Sequence, residues 1–376
     1  MSDRTVIAGI GTTAFGNLPG RTPISLNIEA IRNALADAGV EKDGIDALFV
    51  KAPTSTSEKM YAHKLAEAMA LQPTICGVWD AAGAGNIAMI RMADLAIRAG
   101  DCDIAVVSFA DNPRSGSRAS YERERGGGGV FGWYGVPPAY AMLAQRHMGE
   151  YATRAEDLGA IAVACRKHGA ANPAAQLRKP LMLDEYMDSE LVVSPFRRHD
   201  CALISDGGAA VVLMSERSAK SRGVRCAVPI LGLGQSHGAW DVSLRADLTT
   251  SSAVASAERA FQMAGLTPKD IDVAQIYDCF TITALITLED YGFCKKGGGG
   301  NFVSDGGIEI GGRLPMNTAG GLLSETGMPG MQLVLEGVRQ MRGEAVTQVA
   351  GAKTCIVSNQ GGIMQSHATM ILGQAI

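Results

Sequence analysis

Two stretches of the chain share one pattern of hydrophobic and polar positions. Residues 30–50, AIRNALADAGVEKDGIDALFV, align without a gap on residues 256–276, SAERAFQMAGLTPKDIDVAQI, at a constant offset of 226 positions. In each copy an alanine-rich pattern of helical period ends at a glycine, Gly39 or Gly265, and a short apolar segment follows. Such a glycine is typical of a left-handed helix cap, and the apolar segment is typical of a buried strand. The pattern therefore predicts two copies of one α/β unit.

The two copies continue to correspond further along the chain. In the first, TICGVWDAAGAGN predicts a strand and a glycine turn, IAMIRMADLAIRAGD a helix, and IAVVSFAD a second strand. In the second, LPMNTAGGLLSETGMPG precedes the helical pattern MQLVLEGVRQMRGE, and KTCIVSNQGG ends the unit. A strand, a helix and a strand in this order require a crossover between parallel strands. We therefore expect an α/β fold in which each half is a mostly parallel sheet covered by helices.

The stretch from residue 112 to residue 200 follows neither copy. A polar, glycine-rich segment, SRASYERERGGGGVFGWYGVPP, is followed by a long segment of helical periodicity and then by mixed sequence. An insertion of this length in a duplicated core is typical of a lid or a substrate-binding loop region. The predicted units are an N-terminal half (1–111 and 201–222), the inserted region (112–200) and a C-terminal half (223–376).

Composition and charge narrow the classes of partner and location. The 376 residues are 47% hydrophobic and 19% charged, with a formal net charge of −4. Nucleic acid and anionic membranes favour a basic surface, so neither is an expected partner. The eight cysteines show no CxxC pair and no zinc-ligand spacing, which indicates thiols in a reducing cytoplasm and no metal site. The first twenty residues lack the pattern of a signal peptide, and no apolar run reaches the length of a membrane span.

Four separated motifs carry a resemblance to a known family. They are HDCALISDGGAAVVLMSE (199–216), IYDCFT (276–281), LPMNTAGGLLSETGMPG (314–330) and NQGGIMQSHATMIL (359–372). In this order they resemble the thiolase superfamily, in particular its sterol-carrier-protein and lipid-transfer-protein branch. The resemblance implies a duplicated five-layer α/β/α/β/α fold with an inserted loop domain, and an enzyme that makes or breaks a carbon–carbon bond of an acyl-CoA. It also implies a homodimer, a small zinc-ribbon/OB-fold partner protein, and coenzyme A as part of the substrate with no tightly bound cofactor.

The chain departs from the thiolase pattern at the positions that carry thiolase chemistry. The resemblance implies a nucleophilic cysteine in the first half, a histidine in a Gly-His-Pro motif and a second cysteine near the C-terminus. When the motif is aligned on Gly83, the nucleophile position is Asp80. The histidine position is Met328, and the second cysteine falls at or near Ser358. A carboxylate cannot form an acyl thioester and a thioether has no proton to exchange, so ordinary acyl-enzyme chemistry is not expected.

Tyr277 in the YDCF motif is the remaining candidate catalyst. The motif resembles that of thiolase-like aldolases, which cleave a β-hydroxyacyl-CoA. In that reaction a base takes the hydroxyl proton, the carbon–carbon bond breaks, and hydrogen-bond donors hold the enolate, so no acyl-enzyme is needed. Those aldolases carry a second tyrosine near the Gly-His-Pro position, where this chain has Met328. The structural alternative for Tyr277 is packing at a strand end, and Asp278 fits a cap of the following helix as well as it fits a catalyst.

Further residues are expected to line the pocket. Gly83 opens a helix whose N-terminal amides would face an anionic group, and paired glycines in the C-terminal loops would let main-chain atoms line the site. His168 resembles the stretch that lines the family's CoA channel, and an exposed helix end explains it equally well. Trp133, Tyr134 and Tyr140 in the insertion are expected to shape the acyl pocket. The pocket and oxyanion candidates are Asp80, Gly83, Cys279, Met328, Ser358, Asn359, Gly361, Gly362 and His367.

Three interpretations remain open from the sequence. The first is an acyl-CoA lyase that performs retro-aldol cleavage of a 3-hydroxyacyl-CoA. The second is a thiolase-type acyltransferase whose nucleophile comes from another position, such as Cys76 or Cys279, or from a partner subunit. The third is a catalytically silent subunit that binds acyl-CoA within a heteromeric complex. Free cysteines are most often small buried apolar residues, which counts against the second.

Overall fold

Strands and helices alternate along the chain. The structure is a computed structural model that describes residues 3–122, 129–130, 132–133, 135–239, 242–328 and 330–376, so that Tyr134 lies outside the described residues. The strands are β1 Thr5–Thr12, β2 Ala47–Val50, β3 Ile75–Val78, β4 Ile104–Asp111, β5 Leu191–Val193, β6 Phe196–Arg197, β7 Gly207–Ser215, β8 Val228–His237, β9 Val273–Gln275, β10 Thr354–Gly361 and β11 Ser366–Gly373. The helices are α1 Pro23–Ala38, α2 Tyr61–Ala68, α3 Gly85–Ala99, α4 Ala119–Glu122, α5 Pro137–Tyr151, α6 Ala155–Ala171, α7 Leu183–Met187, α8 Glu216–Ser221, α9 Ala253–Ala264, α10 Thr281–Asp290, α11 Gly299–Ser304, α12 Gly321–Ser324 and α13 Met331–Arg342. Within the described ranges, no helix combines the length and the apolarity that a membrane span requires.

The duplicated sequence folds twice into the same local structure. Helix α1 ends at Gly39 with φ 64° and ψ 35°, and α9 ends at Gly265 with φ 66° and ψ 28°. In both places the left-handed glycine is followed by a short 3-10 turn and a buried strand, β2 or β9. Glycine adopts this conformation without the steric penalty of a Cβ. The predicted duplication is confirmed.

The two halves join in one nine-stranded sheet, with the strand order β3-β2-β4-β7-β1-β8-β11-β10-β9. They meet at β1 and β8, which pair through Val6 with Pro229 and Ile7 with Val228. Among the described strands of this sheet, only β2 with β3, β2 with β4, and β9 with β10 are parallel. The expectation of mostly parallel halves is therefore wrong. Crossover helices join only the outer strands, whereas β10 and β11 form a hairpin and β7 returns antiparallel to β4 after the insertion.

Three hydrophobic cores arrange the helices in layers. Helices α1 and α2 pack on the outer face of the first half. Helices α3 and α13 lie between the halves, because their apolar residues share a core with β4 and β7 of one half and β10 and β11 of the other. Helices α9 and α10, with α5 and α6 of the insertion, cover the outer face of the second half. The expected five-layer α/β/α/β/α order is confirmed.

The inserted region packs against the C-terminal half. Its helix α6 contacts α10, α11 and α12, and the short strands β5 and β6 form a separate hairpin. This arrangement places α5 beside the loop that follows β9. The three predicted units and their bounds stay a prediction.

Candidate active site

A cavity of about 380 Å³ opens where the two halves and the insertion meet. Two backbone segments line it, one just before α3 and one at the turn between β10 and β11. The side chains that give it chemical character are those of Lys51, Tyr121, Tyr140, Tyr277, Cys279 and Gln360. They come from five separate parts of the chain, so only the fold brings them together.

Tyr277 is fixed in the wall of this cavity by its backbone. Its amide donates to Ser358 Oγ at 3.1 Å, and its carbonyl accepts from Thr283 Oγ1 at 2.9 Å. Its side chain is only 6% exposed. Burial, reinforced by Cys279 and the neighbouring tyrosines, raises the pKa of Tyr277 well above its usual value. The phenol therefore keeps its proton at neutral pH and can donate a hydrogen bond.

Gly83 leaves the space that the Tyr277 hydroxyl occupies. A Cβ on Gly83 would lie 2.1 Å from the Gln360 carbonyl oxygen and 2.5 Å from the Tyr277 hydroxyl. A Cβ on Gly361 would lie 2.5 Å from Ala82 Cβ. Neither glycine could therefore carry a side chain without movement of its neighbours. The two glycine loops approach each other backbone to backbone, with the tyrosine hydroxyl against the loop that opens α3.

The Gln360 side chain makes hydrogen bonds to three separate segments of the chain at the cavity. Its Nε2 donates to Cys279 Sγ at 3.0 Å, and its Oε1 accepts from the Tyr140 hydroxyl at 3.2 Å and from the Met364 amide at 3.0 Å. The Tyr140 ring stacks on Phe280 with 4.7 Å between ring centroids. Burial raises the pKa of the Cys279 thiol to about 12. The thiol stays protonated and is a poor nucleophile, because the thiolate is the reactive form.

Lys51 and Tyr121 are cavity residues that the sequence analysis did not identify. Lys51 directly follows β2, is 6% exposed, and its Nζ lies 4.6 Å from the centroid of the Phe109 ring. Burial lowers the pKa of Lys51, while Asp80 and Asp111 act in the opposite direction. Burial raises the pKa of Tyr121. The signal for Lys51 was its place at the carboxyl end of a buried strand, where ligand sites of α/β sheets lie.

Six of the predicted site residues line this cavity: Asp80, Gly83, Tyr277, Cys279, Gly361 and Gly362. Asp80 is exposed at the mouth, and its Oδ1 accepts from the Ala82 amide at 2.9 Å. Tyr140 also lines the cavity, as expected for the insertion, while Trp133 packs against the core beside α5 and α6. The structure thus brings the residues together, and their individual roles stay predictions.

Three other candidates lie behind the cavity wall. Ser358 and Asn359 on β10 are fully buried; Ser358 supports the Tyr277 backbone, and Asn359 Nδ2 donates to the Gly330 carbonyl at 3.1 Å. Met328 is fully buried in the core and does not line the cavity. Ser358 and Asn359 on β10 and Met328 in the loop before α13 thus have their side chains in the protein interior rather than in this cavity, and their pocket roles stay predictions.

The candidate histidines are also interior residues. On β11, His367 Nε2 lies 3.0 Å from the Tyr291 hydroxyl, and burial lowers the pKa of His367 to about 3. On α6, His168 is 2% exposed, its Nδ1 lies 3.2 Å from the Asn317 carbonyl oxygen, and burial lowers its pKa. Both rings are neutral at pH 7 and neither lines the cavity. The pocket role of His367 and the CoA-channel role of His168 stay predictions that the burial of both rings does not favour.

Asp278 caps a helix, but not the one expected. Its carboxylate accepts from the amides of Leu322 at 2.8 Å and Leu323 at 3.4 Å, at the start of α12 rather than α10. Burial raises its pKa to about 6. Its role is to hold the glycine loop that precedes α13 in place. Among the residues that the structure describes, no group of three His, Cys, Asp or Glu side chains is arranged to hold a metal ion.

Known proteins are similar in sequence to this chain over its full length. Residues 234–374 match the family model described as thiolase C-terminal domain-like. The chain is 34% identical to the 17-hydroxy-3-oxo-4-pregnene-20-carboxyl-CoA lyase of Mycobacterium tuberculosis, over 99% of this chain and 100% of that protein. It is also 34% identical to an acetyl-CoA acetyltransferase of Methanothermobacter thermautotrophicus, over 100% of both. The chain belongs to the thiolase superfamily.

A solved structure supports the same relationship. The Ltp2-ChsH2(DUF35) aldolase has a TM-score of 0.90 and 32% identity, and the match covers 99% of this chain and 98% of that chain. The resemblance inferred from the four motifs is confirmed, and the chain is an enzyme of the acyl-CoA lyase or acyltransferase kind.

The site departs from the cysteine chemistry that the thiolase pattern implies. The predicted nucleophile position carries an exposed carboxylate, Asp80, and the cysteine within the cavity, Cys279, is held as a thiol. The phenol of Tyr277 is likewise held protonated. The described part of the cavity therefore offers hydrogen-bond donors but no activated sulfur.

Proposed function

We propose that this protein is an acyl-CoA lyase that cleaves a 3-hydroxyacyl-CoA by retro-aldol chemistry, without a cysteine acyl-enzyme. The observation that carries the proposal is the cavity itself, which combines the buried phenol of Tyr277 with a protonated Cys279. Thiolysis needs a thiolate that attacks a carbonyl carbon, whereas retro-aldol cleavage needs donors that stabilise an enolate oxygen. The described cavity residues meet the second requirement and not the first.

The chemistry follows from the groups in place. The β-hydroxyl of the substrate loses its proton, the bond between the α- and β-carbons breaks, and the thioester becomes an enolate. The Tyr277 phenol and the backbone amide of Gly83, in the loop that opens α3, are donors suited to the enolate oxygen. The enolate carbon then takes a proton from the phenol, which yields a shorter acyl-CoA and a ketone or aldehyde. Coenzyme A enters this scheme only as part of the substrate.

The substrate class we propose is a bulky apolar 3-hydroxyacyl-CoA. The name of the lyase from Mycobacterium tuberculosis describes a steroid whose side chain is a CoA thioester. In this chain, the stacked rings of Tyr140 and Phe280, 4.7 Å apart between centroids, line the cavity, and Phe196 supports Phe280 from the core. Flat aromatic walls suit a rigid apolar ring system.

One pair of incubations separates the three interpretations. Purified protein is incubated with a 3-hydroxyacyl-CoA, and separately with a 3-oxoacyl-CoA plus free CoA, and the products are identified by mass spectrometry. Release of a ketone and a shortened acyl-CoA in the first incubation supports the lyase. Turnover only in the second, or an acyl group trapped on a cysteine, would establish an acyltransferase instead. CoA binding with turnover in neither would indicate a silent subunit.

We also propose that the protein forms a homodimer through β3 and works with a small zinc-ribbon/OB-fold protein. Strand β3 lies at an edge of the sheet, and Val78 and Trp79 are 43% and 38% exposed there. Native proteins usually cover exposed apolar edge strands, and a second copy would do so. The similar aldolase structure names two components, Ltp2 and ChsH2(DUF35), which supports a partner protein. Light scattering with Trp79→Glu as a variant tests the dimer: the variant should be monomeric, and an unchanged mass would contradict the β3 interface.

A further inference from the structure

Lys51 places a buried amine in the wall of the candidate active site. It follows β2 directly, is 6% exposed, and lines the same cavity as Tyr277. Its Cδ lies 3.5 Å from the position that a Cβ on Gly85 would occupy, at the first residue of α3. Its Nζ lies over the Phe109 ring. The amine is therefore held beside the start of α3, next to the loop whose Gly83 amide we assign to the enolate.

The carboxylates near Lys51 are engaged elsewhere. Asp111 accepts from the amide and hydroxyl of Thr54 at 2.7 Å and 2.6 Å, and from the hydroxyl of Ser55 at 2.5 Å. Asp80 is exposed and accepts from a backbone amide. Within the described residues, Lys51 Nζ makes no hydrogen bond to either carboxylate or to any other acceptor. A buried lysine without a hydrogen-bonded partner is costly to the fold, which indicates that its place serves the site rather than stability.

Among the side chains that line the cavity, Lys51 and Asp80 can accept a proton, and of these two Lys51 is the buried one. Burial raises the pKa values of Tyr277, Tyr121 and Cys279, so these groups hold their protons and act as donors. The pKa of Lys51 shifts in the opposite direction. Burial lowers it, and the charges of Asp80 and Asp111 offset that lowering only in part. Asp80 and Asp111 act on the amine electrostatically, and the other titratable groups that line the cavity with it are Tyr121 of α4, Tyr140 of α5, and Tyr277 and Cys279 of the loop after β9. A lowered pKa increases the fraction of neutral amine, which is the form that acts as a base.

We propose that Lys51 is the general base that takes the β-hydroxyl proton of the substrate, with Tyr277 as the proton donor on the other side of the breaking bond. This inference rests on the proposed lyase function. The amine of Lys51 binds the hydroxyl proton, and the electron pair of that O–H bond forms the new carbonyl as the carbon–carbon bond breaks. The pair from the broken bond becomes the thioester enolate, whose carbon takes the proton of the Tyr277 phenol. The ammonium of Lys51 then returns a proton to the phenolate through solvent, so both groups regain their starting states and no oxidant or reductant is needed.

Two substitutions distinguish a base from a positive charge. Lys51→Met removes both the amine and its charge, whereas Lys51→Arg keeps a permanent charge that cannot accept a proton at working pH. If Lys51 is the base, both variants lose about 100-fold or more in kcat on a 3-hydroxyacyl-CoA. Lys64→Met on the exposed face of α2 is the matched control and keeps wild-type kcat, because Lys64 pairs with Glu58 and neither residue lines the cavity.

The pH profile and chemical rescue provide readouts that a structural role would not move. The kcat/KM of the wild type should fall as pH is lowered through the pKa of Lys51, because the ammonium form cannot accept a proton. Lys51→Arg should lack that limb. In Lys51→Ala, added ethylamine should restore part of kcat in proportion to its free-base concentration. The melting temperature of Lys51→Met should equal or exceed that of the wild type, because the substitution removes a buried amine.

The outcomes separate the two proposals. Cleavage by the wild type, loss in both variants and rescue by ethylamine support Lys51 as the base. Cleavage by the wild type with Lys51→Arg within about threefold of it, or no rescue of a folded Lys51→Ala, overturns the role of Lys51 and leaves the lyase function intact. A wild type that cleaves no 3-hydroxyacyl-CoA overturns the lyase function and this step with it.

Discussion

Replacing Gly83 by alanine tests the close approach on which the site depends. A Cβ at Gly83 would lie 2.1 Å from the Gln360 carbonyl oxygen and 2.5 Å from the Tyr277 hydroxyl. Real Cβ atoms do not approach other heavy atoms within 3.0 Å, so one or both neighbours must move. The first belongs to strand β10, which also carries Ser358 and through it the backbone of Tyr277. Movement at either contact therefore displaces the phenol.

The size of the effect follows from these contacts. Relieving the contact with Gln360 needs a shift of at least 0.9 Å, from 2.1 Å to 3.0 Å. A misplacement of about 1 Å in a catalytic group can lower the rate by about 100-fold. Overpacking of a rigid interior costs about 1–3 kcal/mol of unfolding free energy. We therefore expect Gly83→Ala to fold with a lower melting temperature and to lose about 100-fold in kcat.

The measurement is steady-state cleavage of a 3-hydroxyacyl-CoA, with thermal melting followed in parallel. Gly149→Ala is the control, since it makes the same substitution within α5, where a Cβ would meet no atom within 4 Å. That variant should keep wild-type kcat and gain about 0.5–1 kcal/mol from its helix propensity. A folded Gly83→Ala with kcat within about threefold of the wild type would refute the reasoning, because the phenol could then move freely without loss of activity.

The other predictions concern the side chains of Tyr277, Cys279 and His367. Tyr277→Phe should lower kcat by about 10²–10⁴-fold with little change in melting temperature, whereas Tyr61→Phe, which loses a hydrogen bond with Asn27 outside the cavity lining, should lose about 1 kcal/mol of stability and keep its kcat. Cys279→Ala should retain activity within a few-fold, and mass spectrometry of the intact wild type with substrate should show no acyl adduct; a loss above about 100-fold or a trapped adduct would restore the thiolate mechanism. The folded protein holds the pKa of His367 at about 3, against 6.5 when unfolded, so the unfolded state binds the proton more readily and stability falls as pH drops below 6.5. Denaturant titrations should show a loss of about 2 kcal/mol between pH 7.5 and pH 5 from this residue, and His367→Gln should lack that component.

Features that depend on local sequence could be predicted, and those that depend on distant pairing could not. The caps at Gly39 and Gly265 follow from the intrinsic freedom of glycine after a helical pattern, so the duplication was visible in the sequence. The direction of the strands could not be predicted. Strands β10 and β11 form an antiparallel hairpin, but from the sequence its glycine turn could equally be a loop between two parallel strands. The same limit explains Asp278, which caps α12 from more than forty residues away instead of the helix that follows it.

The candidate site shows the same division. Tyr277 was identified because it lies within a short motif, and it does line the cavity. Lys51 and Gln360 lie in no recognisable motif. Each can be identified as a site residue only from its contacts with residues distant in sequence, such as that of Gln360 with Tyr140, 220 positions away. Conversely, Met328 was expected in the pocket because of its motif, yet an apolar side chain at that position packs into the core.

One physical factor, the loss of hydration on burial, favours lyase chemistry over thiolase chemistry in this cavity. Burial disfavours the charged form of every ionisable group. For Cys279 this removes the thiolate on which acyl transfer depends, and for Tyr277 it preserves the phenol that an enolate requires. For Lys51 the same factor favours the neutral amine, so that burial produces donors and an acceptor of protons in one site. A thiolase needs a nearby positive charge or helix N-terminus to stabilise a thiolate in such buried surroundings. Retro-aldol cleavage instead uses the neutral forms that burial already favours.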